Sequence, residues 1–205
     1  MKENGKVTNI FLSGVGGQGA ILASNILGEA FLNAGYDVKK AEVHGMAQRG
    51  GDVTTHFRCG KKVYSPLIKQ GDVDFLISFE LLEAIRYINW VKPEGKVIIN
   101  NQTVFPPAVN LGLMEYPKDV NETFKKYFKD NVHIIDGQDI ARNLGNLQAA
   151  NVVIVGAFSS FFPELKEELF VEAIKSLLAP KLHDLNIKKR KASFHGMRHQ
   201  HAVSL

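Results

Sequence analysis

The run Lys6 to Gly19, KVTNIFLSGVGGQG, constrains the fold of this chain more than any other stretch. It opens with the apolar segment Val7 to Leu12, turns on Gly14, Gly16, Gly17 and Gly19, and passes into a small-residue helix from Gln18 to about Asn33. Strand, glycine turn and helix together form the first half of a βαβ unit. The spacing Gly14-x-Gly16-x-x-Gly19 fits the dinucleotide-binding fingerprint. Glycine permits a tight turn and close backbone approach, and a helix N-terminus offers free N–H groups to an anion. The pattern serves equally as a close-packed turn without a ligand.

The same alternation continues downstream. The first strand, about Val7 to Leu12, is mostly apolar, as a central strand covered on both faces would be. The helix after it carries Ala20, Ala23, Gly28, Ala30 and Ala34 among Ile26, Leu27 and Phe31, so it is expected to be buried on much of its surface. Asp37 to Val43 reads as a second strand nearer an edge. Asp72 to Asn101 forms another unit, with a strand at Phe75 to Phe79, a helix at Glu80 to Trp90 and a strand at Lys96 to Asn100. Asp52 to Cys59 alternates, with Val53, Thr55, Phe57 and Cys59 on one face and His56 on the other, solvent-facing side. With a return at Val63-Tyr64-Ser65 it predicts an inserted β-hairpin. Helices are expected at Glu122 to Lys129, Leu147 to Phe162 and Glu164 to Leu178, with a strand at Val132 to Ile135. The predicted class is α/β, a Rossmann-like open, mostly parallel sheet with helices on both faces, formed by residues 1–187 as one domain.

Charge sets that body apart from its end. Of the formal +4, the last eighteen residues supply Lys188, Lys189, Arg190, Lys191 and Arg198 without an acid, so residues 1–187 are close to neutral. The body has no basic face for nucleic acid, and residues 188–205 read as a basic, disordered tail. No apolar run is long enough to cross a membrane, and the N-terminus lacks a secretory signal. Cys59 is the only cysteine, which fits a reducing, cytoplasmic setting and excludes an all-cysteine iron–sulfur cluster held by this chain alone.

His44-Gly45-Met46-Ala47-Gln48-Arg49-Gly50-Gly51 is the most unusual stretch. Its glycines interrupt helix and strand, and it follows the second strand, at the sheet edge where the glycine turn lies. It is read as a functional loop carrying His44, Gln48, Arg49, Gly50 and Gly51. Glu42 is placed where a dinucleotide fold keeps its ribose-binding acid. Asn100, Asn101, Gln102 and Thr103 end a strand, where they either line a site or satisfy local backbone. There is no nucleophile elbow, no metal motif, no P-loop lysine and no acid pair suited to proton transfer, so no catalytic residue and no metal ligand is assigned.

GVGGQG, EVHGMAQRGGDV, KVYSPLI, FLISFELLEAIR and KVIINNQTVFPP together resemble the gamma-type subunit or domain of the 2-oxoacid:ferredoxin oxidoreductases, the HGMAQRGG form pointing to the indolepyruvate branch. The resemblance spans about Val7 to Leu185. It implies a subunit without clusters, beside a large subunit that carries thiamine diphosphate and [4Fe-4S] clusters, joins the acyl group of an aryl 2-oxoacid to coenzyme A (CoA) and passes electrons to ferredoxin. Gly14, Gly16, Gly17 and Gly19 then become contacts for an anion, CoA or the partner. Arg49 becomes a partner for a carboxylate or phosphate. The alternative from the glycine spacing and Glu42 is a stand-alone NAD(P)-dependent dehydrogenase.

Overall fold

The computed structural model describes residues 7–45 and 50–203. Six strands form one sheet in the order β2-β3-β1-β4-β5-β6: β1 Thr8–Val15, β2 Asp37–His44, β3 Asp52–Gly60, β4 Val73–Ser78, β5 Val91–Asn100 and β6 Val132–Ile135. β1/β4, β4/β5 and β5/β6 pair in parallel; β1/β3 and β2/β3 pair antiparallel. Three of five pairings being parallel, the expected class holds.

The hairpin differs from its prediction. β3 pairs back against β2 in register from Asp37 opposite Gly60 to His44 opposite Val53, and its other edge is taken by β1. With both edges of β3 filled, residues 63–65 have no strand left to join. Val63 N instead donates to Asp37 Oδ2 at 2.9 Å, and Arg58 donates to the Ser65 carbonyl at 2.8 Å. Tyr64 stands exposed. His56 is also not a solvent residue. Its ring packs edge-on to Phe11 and Trp90, and its Nδ1 accepts from Ile68 N at 3.1 Å.

Alternation along β1 supplies both faces of the sheet. Ile10 and Leu12 face a core with α1 (Ala20–Asn33); Phe11 faces a second core with α2 (Leu81–Arg86). α1 ends in paired bonds, Gly35 N to Leu32 O and Tyr36 N to Phe31 O, which satisfy its last carbonyls and turn the chain into β2. After β5 come a short α3 (Pro107–Asn110) and α4 (Val120–Phe128), whose Val120 and Phe124 complete the second core.

The rest of the chain builds the first core. α5 spans Gly137–Asn143, α6 Ala150–Ser159, α7 Glu167–Leu177 and α8 His183–Val203. α6 has no exposed stripe, since Asn151 to Ser159 are all buried. It packs against α1 and β5, and α8 covers it. Residues 188–203 are therefore not a disordered tail. The helix begins before Ile187 and runs to Val203, and Lys189, Arg190 and Ser193 are buried. A β-carbon on Gly156 would lie 2.3 Å from the Arg190 carbonyl oxygen, so glycine is what lets α6 and α8 touch.

Candidate functional site

β1 sends its connection through α1 to β2 on one side, whereas β4 leads through α2 to β5 on the other. The chain thus changes direction between the C-terminal ends of β1 and β4, the crevice where open α/β sheets place ligands. A cavity of about 120 Å³ lies there, lined by Gly17, Gln18, Phe79, Gln138, Leu147 and Asn151 among others.

The four glycines of the turn divide their work. Gly14 is spent on packing, since a β-carbon there would lie 3.1 Å from Phe79 Cβ. Gly16 joins the returning loop: its N–H donates to Gly51 O at 2.8 Å and its carbonyl accepts from Gly50 N at 3.5 Å. Gly19 is pressed by Asn151, whose Nδ2 would lie 2.4 Å from an added β-carbon and donates to the Gly19 carbonyl at 3.1 Å. Gly17 alone faces open space, with φ +100°, a conformation that disfavours any side chain. α1 begins directly behind it, without a side-chain cap and without an acid in its first turn. Its leading amides and the positive end of its dipole are directed at the turn.

Side-chain amides close the floor. Gln18 Oε1 accepts from Val15 N at 2.7 Å, while its Nε2 donates to Phe79 O and to Gln102 Oε1, each at 3.0 Å. Asn100 donates to Phe79 O at 3.2 Å and accepts from Gly137 N at 3.1 Å. The strand-end amides are thus occupied with local backbone as well as lining the cavity. This wall can orient a polar or anionic group, and among the described residues that line it there is no nucleophile and no general acid or base. Gln18 and Asn151 were not singled out from sequence. Gln18 lies inside the motif, where its residue type was the available signal, and Asn151 gives none, because its partner is 132 residues away.

The predicted loop residues meet the turn in part. Gly50 and Gly51 bond to Gly16, and His44 ends β2 opposite Val53. Gln48 and Arg49 lie outside the described residues. Glu42 does not occupy a ribose-binding position. It sits within β2 opposite Thr55, with Lys40 Nζ at 2.6 Å, and β3 separates its strand from β1. The inserted strand moves it about 4.8 Å further from the turn than an adjacent β2 would.

Beside this cavity, two buried acids organise α2. Glu80 Oε1 accepts from Val104 N at 3.0 Å and from the Tyr116 hydroxyl at 2.5 Å, and its Oε2 accepts from Glu83 N at 2.9 Å. It thereby caps α2 and ties down the connection after β5. Tyr116 and Phe105 form an edge-on pair at the side of an open concavity of about 560 Å³. Glu83 pairs through Oε1 with Arg86 at 3.1 Å, while its buried Oε2 has no hydrogen-bond partner. Burial drives its pKa up to about 7 against the pull of Arg86, with Glu80 and Asp52 adding to the rise.

Among the described residues, no group of three or more His, Cys, Asp or Glu is placed to hold a metal ion, and no helix is long and apolar enough to cross a membrane. Cys59 is buried, and desolvation, helped by Asp74 and Glu164, pushes its thiol up to about 12. It is placed as a core residue, not as a ligand.

Known proteins carry the same pattern. Residues 9–194 match the family model for pyruvate ferredoxin/flavodoxin oxidoreductase, well past Ile187 and into α8. Indolepyruvate oxidoreductase subunit IorB of Thermococcus kodakarensis is 40% identical over 187 residues, covering 89% of this chain and 92% of that subunit. The common gamma subunit of the pyruvate/ketoisovalerate oxidoreductases of Pyrococcus furiosus is 30% identical over 188 residues, covering 88% and 92%. In fold, the crystal structure of the pyruvate oxidoreductase subunit PORC of Thermotoga maritima superposes with a TM-score of 0.70 at 20% identity, over 93% of this chain and 96% of that one. The 2-oxoglutarate:ferredoxin oxidoreductase of Magnetococcus marinus, solved with 2-oxoglutarate, CoA and succinyl-CoA bound, gives 0.72 at 18% identity, this chain matching 32% of that longer one. With both the family match and the 40% identity running over nearly all of its length, the chain belongs to the pyruvate ferredoxin/flavodoxin oxidoreductase family, similar throughout to its IorB and gamma subunits.

Proposed function

We propose that the chain is the cluster-free small subunit of an oxidoreductase that decarboxylates aryl 2-oxoacids such as indolepyruvate, transfers the acyl group to CoA and delivers electrons to ferredoxin. Thiamine diphosphate and the [4Fe-4S] clusters belong to the large subunit. The residues here do not fit either group, since the one cysteine is buried and the cavity is lined by neutral amides. They do fit part of CoA. The observation that carries this is the open Gly17 in front of an uncapped α1, over a cavity of about 120 Å³. That space suits one phosphate or carbonyl group and is far below the several hundred Å³ of a complete cofactor site. A partner surface has to supply the rest.

Exposed apolar side chains support a partner at this edge. Phe105, Leu111, Leu113 and Met114 are more than half exposed in the connection after β5. Such clusters mark interaction surfaces more often than free ones. Arg49 remains the proposed partner for a carboxylate or phosphate, from its charge and its place in the sequence. The lone free cysteine supports a cytoplasmic setting.

The test is co-expression with a candidate large subunit, purification through this chain, and an assay with indolepyruvate, CoA and a ferredoxin-like dye. An active brown complex that requires this chain supports the proposal. Gln138→Glu adds a carboxylate to the cavity wall and is expected to raise the KM for CoA about tenfold with the complex intact. A chain that remains alone and binds NAD(P) tightly would instead support the dehydrogenase.

A further inference from the structure

α8 buries two cations of the basic segment, and they are held differently. Arg190 has several partners, although its Nε and Nη1 make no hydrogen bond among the described residues. Its guanidinium lies 4.5 Å from the Phe170 ring centroid and 4.8 Å from that of Phe194, donates to Ser159 Oγ at 3.0 Å, and reaches Glu167 at 4.0 Å. Lys189 has no such set. It is wholly buried, and its ammonium donates to the carbonyl oxygen of Asn146. No carboxylate among the described residues stands within ion-pair distance of it. An ammonium held by a neutral acceptor destabilises a core, and a methionine would pack at least as well. Desolvation accordingly pulls its pKa down.

Its acceptor stands at a particular place. Asn146 follows Gly145, whose φ is +90°, where the chain leaves α5 and enters the segment carrying Leu147, Ala150 and Asn151. Those three residues line the glycine-turn cavity, and Asn151 holds the Gly19 carbonyl. Besides its packing on α6, α8 therefore holds the segment that leads into the cavity wall through the Lys189 ammonium and the Asn146 carbonyl.

The geometry points to Lys189 as a positioning residue, which fixes the Asn146–Asn151 segment as the wall of the glycine-turn cavity and so sets affinity for the group received there. The inference rests on the proposal above that this cavity receives part of CoA. The C-terminal helix then governs cofactor affinity without touching the cofactor or the reacting atoms.

The test uses the complex with its large subunit. Lys189→Met keeps the length of the stem and removes the donor and its charge; Lys189→Arg keeps a donor. In the Met variant the KM for CoA is expected to rise about five- to tenfold while the KM for indolepyruvate stays within about twofold. Amides of residues 145–151 should exchange faster with deuterium, and the Arg variant should recover most of the CoA affinity. An unchanged KM for CoA in an intact complex would overturn the role, as would a fall in kcat without selectivity for CoA. Gln138→Glu separates the two levels. If it raises the KM for CoA and Lys189→Met does not, the cavity stands and the lysine's role falls; if neither shifts it, both fall. Should the Met variant not assemble, Lys189→Gln is measured in its place. A smaller shift in the same direction supports the role, and an unchanged KM overturns it.

Discussion

Gln18 and Gln102 meet end to end: Nε2 of Gln18 donates to Oε1 of Gln102 at 3.0 Å, and both side chains line the cavity. The contact links the glycine turn after β1 to the residues that follow β5, with β4 between them in the sheet. The same Gln18 side chain bonds Val15 N and Phe79 O. One side chain thus ties together the ends of three strands and leaves the amide end of α1 free. Gln18→Ala removes all three bonds and leaves the Val15 N–H without its acceptor. The expected cost is about 1–3 kcal/mol, read as a lower urea midpoint of the purified chain. An unchanged midpoint would mean that Gln18 does not brace the turn.

The packing of α6 against α8 makes a second prediction. Gly156→Ala places a methyl group 2.3 Å from a backbone carbonyl oxygen, which cannot rotate away. Overpacking of this kind costs roughly 1–3 kcal/mol. Amides of α8 should lose protection from hydrogen exchange before those of β1. Truncation after Ile187 should be more severe, because it removes Lys189, Arg190 and Ser193 and uncovers the apolar surface of α6. A truncated chain that stays monomeric and melts like the full one would contradict the placement of α8.

How far the sequence carried follows from which contacts are local. The strand, turn and helix at Thr8 to Asn33 announced themselves through apolar runs and glycines close together in the chain. The alternation of β3 identified a strand. Its neighbours, however, are fixed by register with β1, from Thr8 opposite Cys59 to Val15 opposite Asp52, and no local pattern reports pairing at that distance in the chain. Arg58 shows the same limit, since it joins Asn9, Ser65 and Leu67, partners brought to it by the sheet and the segment after β3. Lys189 and Arg190 misled for a related reason. Five cations in a short segment describe a solvated end unless another helix lacks cover, and the need for cover belongs to α6. The sheet edge at which the glycine turn lies was legible; the amides that line the candidate cavity there, Asn151 above all, come together only in three dimensions.

Cys59 offers a check on the core. At pH 8, a thiol titrating near 12 has only about one part in ten thousand as the reactive thiolate. Cys59 should therefore resist a disulfide reagent such as dithionitrobenzoate in the folded chain and react stoichiometrically in urea. The time course would then report unfolding directly. Prompt reaction of the native protein would show that β3 does not bury this side chain as described.

Glu83 gives the pH dependence. Its folded pKa, about 7, lies above the ordinary carboxylate value of 4.5, because it is buried beside Glu80 and Asp52 with one oxygen unpartnered. Between those two values the folded chain holds a proton that the unfolded chain has released. Stability contributed by the neutral form is therefore complete below about pH 4.5 and is lost as pH rises through 7. The pull of half-exposed Arg86 is already contained in that value, and solvent screening at this partly exposed pair reduces the effect further, so about 1–2 kcal/mol is expected, less than the full shift implies. Glu83→Gln keeps the shape and cannot ionise. It should match the parent chain near pH 4, where the side chain at this position is neutral in both proteins, folded and unfolded, and exceed it in stability at pH 8. Urea midpoints of the two proteins from pH 4 to 8 decide the matter. Parallel curves would show that Glu83 is already ionised in the fold, and a Gln variant less stable at pH 8 would show that Arg86 outweighs burial.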